Sequence, residues 1–259
     1  MGFKKVLFFI FNRATFGRVK TVMRDLCDYT EVYCLISENK GDALGYIKEI
    51  PKIKIYSQKL EGEEKAGAVS RSSRIMEVCS KAILELQPDC NFVVADRYET
   101  LSAAYTSAIH GVPIIHFQGG EITGTLDEKI RHAVTKLSDF HFTSTEYGSM
   151  FVKLMGEEYK RVFCVGCPSL DIIRENKIHR YCPAERYVIS IFHPNTLEEM
   201  EPQTIEYMEA LRAFVEPRKT HVYVYFPNLD PGSKGMTEIL NYYVNKHPVT
   251  FLKAFNSEP

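Results

Sequence analysis

Polar side chains that could do chemistry come directly after four apolar, strand-like runs of the sequence. Charged, amide or hydroxyl residues follow the runs 6–11, 92–95, 113–117 and 140–144. In a doubly wound parallel sheet, ligands bind outside the carboxyl ends of the strands. The sequence therefore predicts one candidate site, built from the residues that follow these four strands.

Three carboxylates belong to these segments. Asp96 and Glu121 follow two strands that we expect to be neighbours, and Asp127 begins the next helix. Carboxylates that converge on one crevice repel one another and raise the pKa of at least one, which general acid and base catalysis needs. For Asp127, helix capping is an equally good interpretation. We predict that the three approach one another, with Gly119 and Gly120 beside them.

Two arginines lie around the first strand-to-helix turn. Arg13 and Arg18 could bind a diphosphate together with the free amide groups of the helix. The alternative is a solvated helix start, where arginine is common. Gly119-Gly120 permits a positive φ or a close backbone approach to a ligand, although most such pairs are simple turns.

Histidines offer a second set of candidates. His132 follows Arg131 on the helix that Asp127 begins, and His193 ends the first strand of a second series of elements. His116 lies inside a strand, which predicts a core position. On residue type alone, packing is the more common role for His193 as well.

Composition excludes several functional classes. The net charge of -1 comes from 32 basic and 33 acidic residues that are interspersed, so no broad field attracts nucleic acid or an anionic membrane. The apolar run near the N-terminus is too short to span a bilayer. Seven cysteines at irregular spacing indicate reduced thiols and a cytoplasmic protein. Cys164 and Cys167 have the spacing of a metal knuckle, but no second pair follows, which favours packing over zinc.

Alternating strand-like and helical patterns predict an α/β fold with a parallel sheet and crossover helices. A polar segment with Pro183 interrupts the pattern, so we expect two Rossmann-like domains, 1–182 and 183–259. The second series has strands at 187–192, 222–226 and 249–252, with helices at 203–215 and 234–244. This is half of a doubly wound domain, so we expect the second domain to be incomplete.

Several motifs together resemble the hydrolysing UDP-N-acetylglucosamine 2-epimerases of sialic-acid-type pathways. The motifs lie at 95–104, 116–124, 127–138, 141–145, 165–171, 192–194 and 225–233. The resemblance implies a two-domain, glycosyltransferase-B-like fold, a UDP-sugar substrate and no metal or nicotinamide cofactor. A homodimer is a further expectation.

The resemblance also implies roles for individual residues. It makes candidate acids and bases of Asp96, Glu121 and Asp127, and adds His193 to the catalytic set. The implied substrate-binding residues are Arg13, Arg18, Gly119, Gly120, Arg131, His132 and Ser144. The resemblance does not say which carboxylate takes the C2 proton.

Three features depart from the family pattern. Phe11 and Ala95 stand where the family has glycine, and Phe11 is expected to crowd the site. The serine-rich nucleotide-binding loop of the family is not in the sequence, which predicts weak activity. The second hypothesis is therefore a truncated or non-catalytic sugar-nucleotide-binding homologue. A glycosyltransferase is a weaker third, because the carboxylate cluster suits elimination.

Overall fold

The computed structural model describes residues 3–11, 13–37, 47, 50, 52–58, 67–175, 186–193, 199–227 and 233–253. The chain divides into two compact units, Met1–Ile178 and His179–Pro259. The domain boundary predicted at 182/183 lies outside the described residues.

Unit 1 contains a parallel sheet of seven strands in the order β3-β2-β1-β4-β5-β6-β7. The strands are β1 Lys5–Ile10, β2 Glu31–Ser37, β3 Lys54–Gln58, β4 Cys90–Val94, β5 Ile114–Phe117, β6 Phe140–Thr143 and β7 Val162–Cys164. The helices are α1 Arg13–Leu26, α2 Ala68–Leu86, α3 Tyr98–Ile109, α4 Leu126–Leu137, α5 Glu146–Leu154 and α6 Ser169–Glu175.

Continuous apolar strands form because both faces of this sheet are covered. Phe8 and Ile10 join one buried cluster, while Leu7 and Phe9 of the same strand join the other. Phe11 is 4% exposed and stacks on Phe9 at 6.5 Å between ring centroids. Its side chain therefore lies in the core, so the expected crowding of the site by Phe11 is wrong.

One strand is displaced from its predicted position. The sequence predicts a strand at 52–56, whereas β3 is Lys54–Gln58. Pairing with β2 explains the shift, because Ile36 and Ser37 align with Ser57 and Gln58 in the parallel register. Backbone pairing outweighs the apolar pattern at this edge strand.

Unit 2 contains a smaller parallel sheet in the order β10-β9-β8. Its elements are β8 Tyr187–Ile191, α7 Met200–Val215, β9 His221–Tyr225, α8 Ser233–Lys246 and β10 Phe251–Lys253. Helix α7 begins three residues before its predicted start, because Pro202 is tolerated in a first helical turn. Met208, Val222 and Phe251 are fully buried in the core of this unit.

Helices long and apolar enough to cross a bilayer are absent from the described part of the chain.

Candidate active site

A buried ion pair lies at the carboxyl edge of the unit 1 sheet. Asp96 follows β4, and Arg131 lies on α4. The Arg131 Nε donates to Asp96 Oδ2 at 3.1 Å, and Nη2 contacts the same oxygen. The side chains of Arg131 and Asp96 are 4% and 18% exposed. The two contacts and the low exposure of the Arg131 guanidinium make this pair the centre of the candidate site.

Arg131 also reaches the segment that follows β5. Its Nη1 donates to the carbonyl oxygen of Glu121 at 2.6 Å. One guanidinium thus connects three separate parts of the chain: the turn after β4, the loop after β5 and helix α4. The sequence identifies Arg131 as a substrate-binding candidate, and the structure shows that its three nitrogens contact protein groups.

Two strand ends turn through left-handed backbone conformations. Ala95 has a φ of 59° and Gln118 has a φ of 63°. For a residue other than glycine this region costs about 1 to 2 kcal/mol, and such strain often occurs at functional sites. The amide of Ala95 donates to the Phe117 carbonyl at 2.9 Å, so the ladder continues into the turn. The turn carries Asp96 away from the strand direction and toward Arg131.

Gly119 and Gly120 pack tightly against neighbouring segments of the same unit. Gly120 has a φ of 86°, and a Cβ there would lie 2.2 Å from the carbonyl oxygen of Gly148. A Cβ on Gly119 would lie 3.0 Å from Thr135 Oγ1 and 3.1 Å from His116 Nδ1. Gly120 thus adopts the positive φ that the sequence permits, and packing against α4, β5 and α5 leaves little room for a side chain at either glycine. Contact of these glycines with a ligand stays a prediction.

The other two candidate carboxylates are exposed. Glu121 and Asp127 are both exposed residues, and Asp127 lies in the first turn of α4. Asp96 and Glu121 share Arg131, Asp96 through its carboxylate and Glu121 through its carbonyl. One guanidinium thus binds both the Asp96 carboxylate and the Glu121 backbone. Convergence of all three carboxyl groups stays a prediction.

A fourth carboxylate, Glu128, organises the loop before α4. Its Oε2 accepts the backbone N–H groups of Thr123 and Gly124, the latter at 2.6 Å. These bonds to Gly124 and Thr123 lower the pKa of Glu128 below its usual value. The sequence leaves helix capping open for Asp127, whereas the carboxylate that binds these amides belongs to its neighbour Glu128. The signal was present, because an acidic residue in the first turn of a helix commonly binds free amide groups.

Buried polar atoms without a protein partner occur at two predicted binding residues. Within the described part of the chain, His132 Nε2 and Ser144 Oγ are buried and have no hydrogen-bond partner. The His132 ring packs on Phe151 at 5.2 Å between centroids, which holds its orientation. Because buried polar groups are normally hydrogen-bonded, these atoms are suited to contact a ligand or water.

The remaining predicted site residues lie on helix α1 and after strand β8. Arg13 begins α1, and Arg18 lies further along the same helix and is half-buried. His193 follows β8 in unit 2 and is exposed. Cys164 ends β7 and is exposed, while Cys167 Sγ accepts a hydrogen bond from Gln118 Nε2 at 3.4 Å. Among the described residues, no group of three or more His, Cys, Asp or Glu side chains is suited to hold a metal ion.

Glu99 is a buried charge that the sequence analysis did not single out. It is 3% exposed in the first turn of α3, and its carboxylate lies 3.1 Å from Arg97 Nε and 3.9 Å from Arg71 Nη2. Its position three residues after Asp96, in the polar segment that follows β4, is the sequence feature that could have identified it as a site candidate. The two arginines partly compensate the cost of burying its charge.

Buried histidines predict acid lability of the folded protein. Burial lowers the pKa of His116 to about 4, and it lowers the pKa of His141 as well. The unfolded value is about 6.5, so this contribution to stability is complete above pH 6.5 and is lost as the pH falls toward 4. We expect His116 to reduce the free energy of unfolding by about 2 to 3 kcal/mol between pH 7 and pH 4.5.

Urea denaturation at the two pH values would measure this loss. The His116→Gln variant carries no titrating group at this position and should show a smaller loss. Equal losses in the two proteins would contradict the assignment to His116.

Known proteins with similar sequences identify the family. The family model described as UDP-N-acetylglucosamine 2-epimerase matches residues 41–258. The chain belongs to the UDP-N-acetylglucosamine 2-epimerase family. It is 28% identical over 263 residues to the UDP-N-acetylglucosamine 2-epimerase of Neisseria meningitidis serogroup B, which covers 94% of this chain and 68% of the relative. This confirms the family indicated by the sequence motifs.

A second relative extends the comparison to another substrate. The UDP-N,N'-diacetylbacillosamine 2-epimerase (hydrolyzing) of Legionella pneumophila is 30% identical over 175 residues. That match covers 64% of this epimerase-family chain and 46% of the relative. The chain thus spans about half to two thirds of the length of these relatives.

A solved structure confirms the fold class. The UDP-GlcNAc 2-epimerase of Neisseria meningitidis bound to UDP-GlcNAc matches with a TM-score of 0.75 at 17% identity. The match covers 98% of this chain and 73% of the other. The fold of this epimerase-family chain is α/β and glycosyltransferase-B-like, as the sequence predicts.

Proposed function

We propose that this chain carries the catalytic carboxylates for the hydrolysing 2-epimerisation of UDP-N-acetylglucosamine to N-acetylmannosamine and UDP. The observation that supports the proposal is the pairing of Asp96 with Arg131, which also contacts the Glu121 carbonyl. This arrangement ties one candidate acid or base and the backbone of another to the same guanidinium, at the sheet edge where doubly wound folds bind ligands. Family membership supplies the reaction class.

Elimination followed by hydration explains why carboxylates are needed. The C2 hydrogen of the sugar is not adjacent to a carbonyl, so direct deprotonation is unfavourable. Departure of UDP from C1 creates positive charge there and makes the C2 proton more acidic. In the proposed first step a carboxylate takes that proton, the C1–O bond breaks and UDP leaves with the bonding electrons. A carboxylate then assists the addition of water, with OH at C1 and H on the opposite face of C2.

The contacts suggest different roles for the basic residues. Arg131 has its three nitrogens on protein oxygens and is 4% exposed, so we assign it to holding Asp96. Stabilisation of the departing diphosphate is assigned to Arg13 and Arg18 of unit 1. His193 of unit 2 keeps the catalytic role that the family resemblance implies. Binding of the sugar is assigned to His132 and Ser144, whose buried polar atoms have no partner in the described residues.

Product analysis in D₂O would test the proposal. Incubation with UDP-N-acetylglucosamine should release UDP and N-acetylmannosamine with one deuterium at C2. UDP-N-acetylmannosamine would mean a non-hydrolysing epimerase, and unlabelled N-acetylglucosamine would mean simple hydrolysis. A glycosylated acceptor would favour a transferase.

Lack of turnover together with binding of UDP would favour the alternative, a non-catalytic sugar-nucleotide-binding homologue. The chain spans 46% to 68% of two relatives, so this alternative is worth a direct test. Turnover per chain should be measured across protein concentrations, because a rise with concentration would show that a second subunit completes the site. The same series, followed by sedimentation, tests the predicted homodimer.

A further inference from the structure

His116 is a fully buried residue of β5 whose two ring nitrogens both have partners. It is 0% exposed. Its Nε2 lies 2.9 Å from the carbonyl oxygen of Ala95, and its Nδ1 lies 3.2 Å from Thr135 Oγ1. The imidazole therefore bridges two elements that flank its own strand, the turn after β4 and helix α4.

The chemistry of the partners determines which nitrogen carries the proton. A carbonyl oxygen only accepts, so Nε2 carries hydrogen and donates to Ala95. Burial keeps the imidazole neutral at pH 7 because it lowers the His116 pKa to about 4. Nδ1 is then an acceptor, and the Thr135 hydroxyl at 3.2 Å is the group positioned to donate to it. That hydroxyl has one hydrogen, for which Nδ1 at 3.2 Å and the Arg131 carbonyl oxygen at 3.0 Å both act as acceptors.

The two bonds end next to the ion pair of the site. Ala95 directly precedes Asp96 and has the left-handed φ of 59°. Thr135 lies one helical turn after Arg131 on α4. A Cβ on Gly119 would lie within 3.0 to 3.2 Å of Thr135 Oγ1 and the His116 ring, so the glycine turn packs on the same pair.

We infer that His116 is a positioning residue: its imidazole holds the Ala95 turn and helix α4 at the separation that lets Asp96 meet Arg131. The Ala95 bond keeps a strained turn in place, and the Thr135 bond fixes the helix relative to that turn. The expected effect of losing this bridge on kcat rests on the proposed function. The expected faster solvent exchange at the Asp96–Arg131 contact does not depend on it.

Four variants separate the two ends of the bridge. His116→Leu removes both bonds, and His116→Gln places an amide near Nε2 so that it can still donate to Ala95. Thr135→Val removes the hydroxyl at nearly constant volume, whereas the control Thr135→Ser keeps it. All four leave Asp96 and Arg131 unchanged.

The first measurement is the solvent exchange of the Arg131 Nε proton by NMR. We expect exchange to accelerate on the order of tenfold in His116→Leu and Thr135→Val, the factor that corresponds to loss of one buried hydrogen bond. Thr135→Ser should match the wild type, and His116→Gln should lie closer to the wild type than His116→Leu. The amide of Leu35, buried in β2, should be unaffected, which shows that the change is local.

The second measurement is the kinetics of UDP-N-acetylglucosamine turnover, well below the unfolding temperature. We expect kcat to fall about 10- to 100-fold in Thr135→Val, with KM within about threefold, because small displacements of catalytic groups act on the reaction step. Thr135→Ser should restore kcat.

Unchanged Arg131 exchange in folded His116→Leu and Thr135→Val would overturn the inference. If His116→Leu fails to fold, the Thr135 pair alone decides. A wild-type protein without turnover would refute the proposed function, while the exchange measurement would still test the positioning role.

Discussion

Replacement of Asp96 by Asn is expected to lower kcat for UDP-N-acetylglucosamine about 10²- to 10⁴-fold, the range that one acid or base group contributes. The amide oxygen of Asn can still accept from Arg131, which now donates to Asp96 Oδ2 at 3.1 Å through Nε. The fold and the position of Arg131 should therefore be retained while the proton-transferring group is lost. Steady-state kinetics with detection of UDP and N-acetylmannosamine would measure the effect.

Asp89→Asn is the matched control for this experiment. Asp89 precedes the same strand, at its opposite end, and accepts the backbone N–H groups of Lys4 and Lys5 at 2.7 and 2.8 Å. An Asn there keeps an acceptor, so kcat should change less than about twofold. Full activity of folded Asp96→Asn would remove Asp96 from the catalytic set, and an equal loss in Asp89→Asn would indicate a general effect on folding.

Replacement of Gly120 by Ala is expected to destabilise the fold by about 3 to 5 kcal/mol, from a left-handed φ and overpacking together. The φ of 86° is unfavourable for Ala, and the added Cβ would lie 2.2 Å from the carbonyl oxygen of Gly148. That oxygen belongs to the backbone of α5, so no flexible side chain can move aside. Urea denaturation at pH 7 would measure the loss.

Gly111→Ala separates the two causes. Gly111 also has a left-handed φ, 68°, but a Cβ there would have nothing within 4 Å. This variant should lose about 1 to 2 kcal/mol from the backbone conformation alone. Equal losses in the two variants would mean that contact with Gly148 contributes nothing, and that the loop after β5 is not held against α5.

The strands were predictable because their signal is local. A strand buried on both faces must be apolar at most positions, and β1, β4 and β5 each carry a single polar residue, Lys5, Asn91 and His116. Parallel strands joined by helices then bring their carboxyl ends to one edge, which is enough to nominate Asp96, Glu121 and Gly119-Gly120 from sequence. The edge strand β3 was displaced because half-exposed residues carry a weaker pattern.

The partners of the site residues required the tertiary structure. Arg131 and Asp96 are 35 residues apart in sequence. Gly120, in the loop after β5, packs against the backbone of Gly148 on α5. Sequence motifs gave Arg131 a substrate-binding role, whereas its contacts tie it to Asp96 and to the Glu121 carbonyl. His116 reads as an ordinary core residue, yet its ring nitrogens join the Ala95 turn to helix α4.

Residue type and periodicity thus determined which residues are buried and which end of the sheet carries polar groups, because the hydrophobic effect depends on local composition and spacing. Residue type and periodicity do not determine the direction of a side chain or the distance between two elements. Hydrogen bonds and ion pairs depend on both within a few tenths of an ångström, and only the packing of β4, β5 and α4 against one another sets those distances.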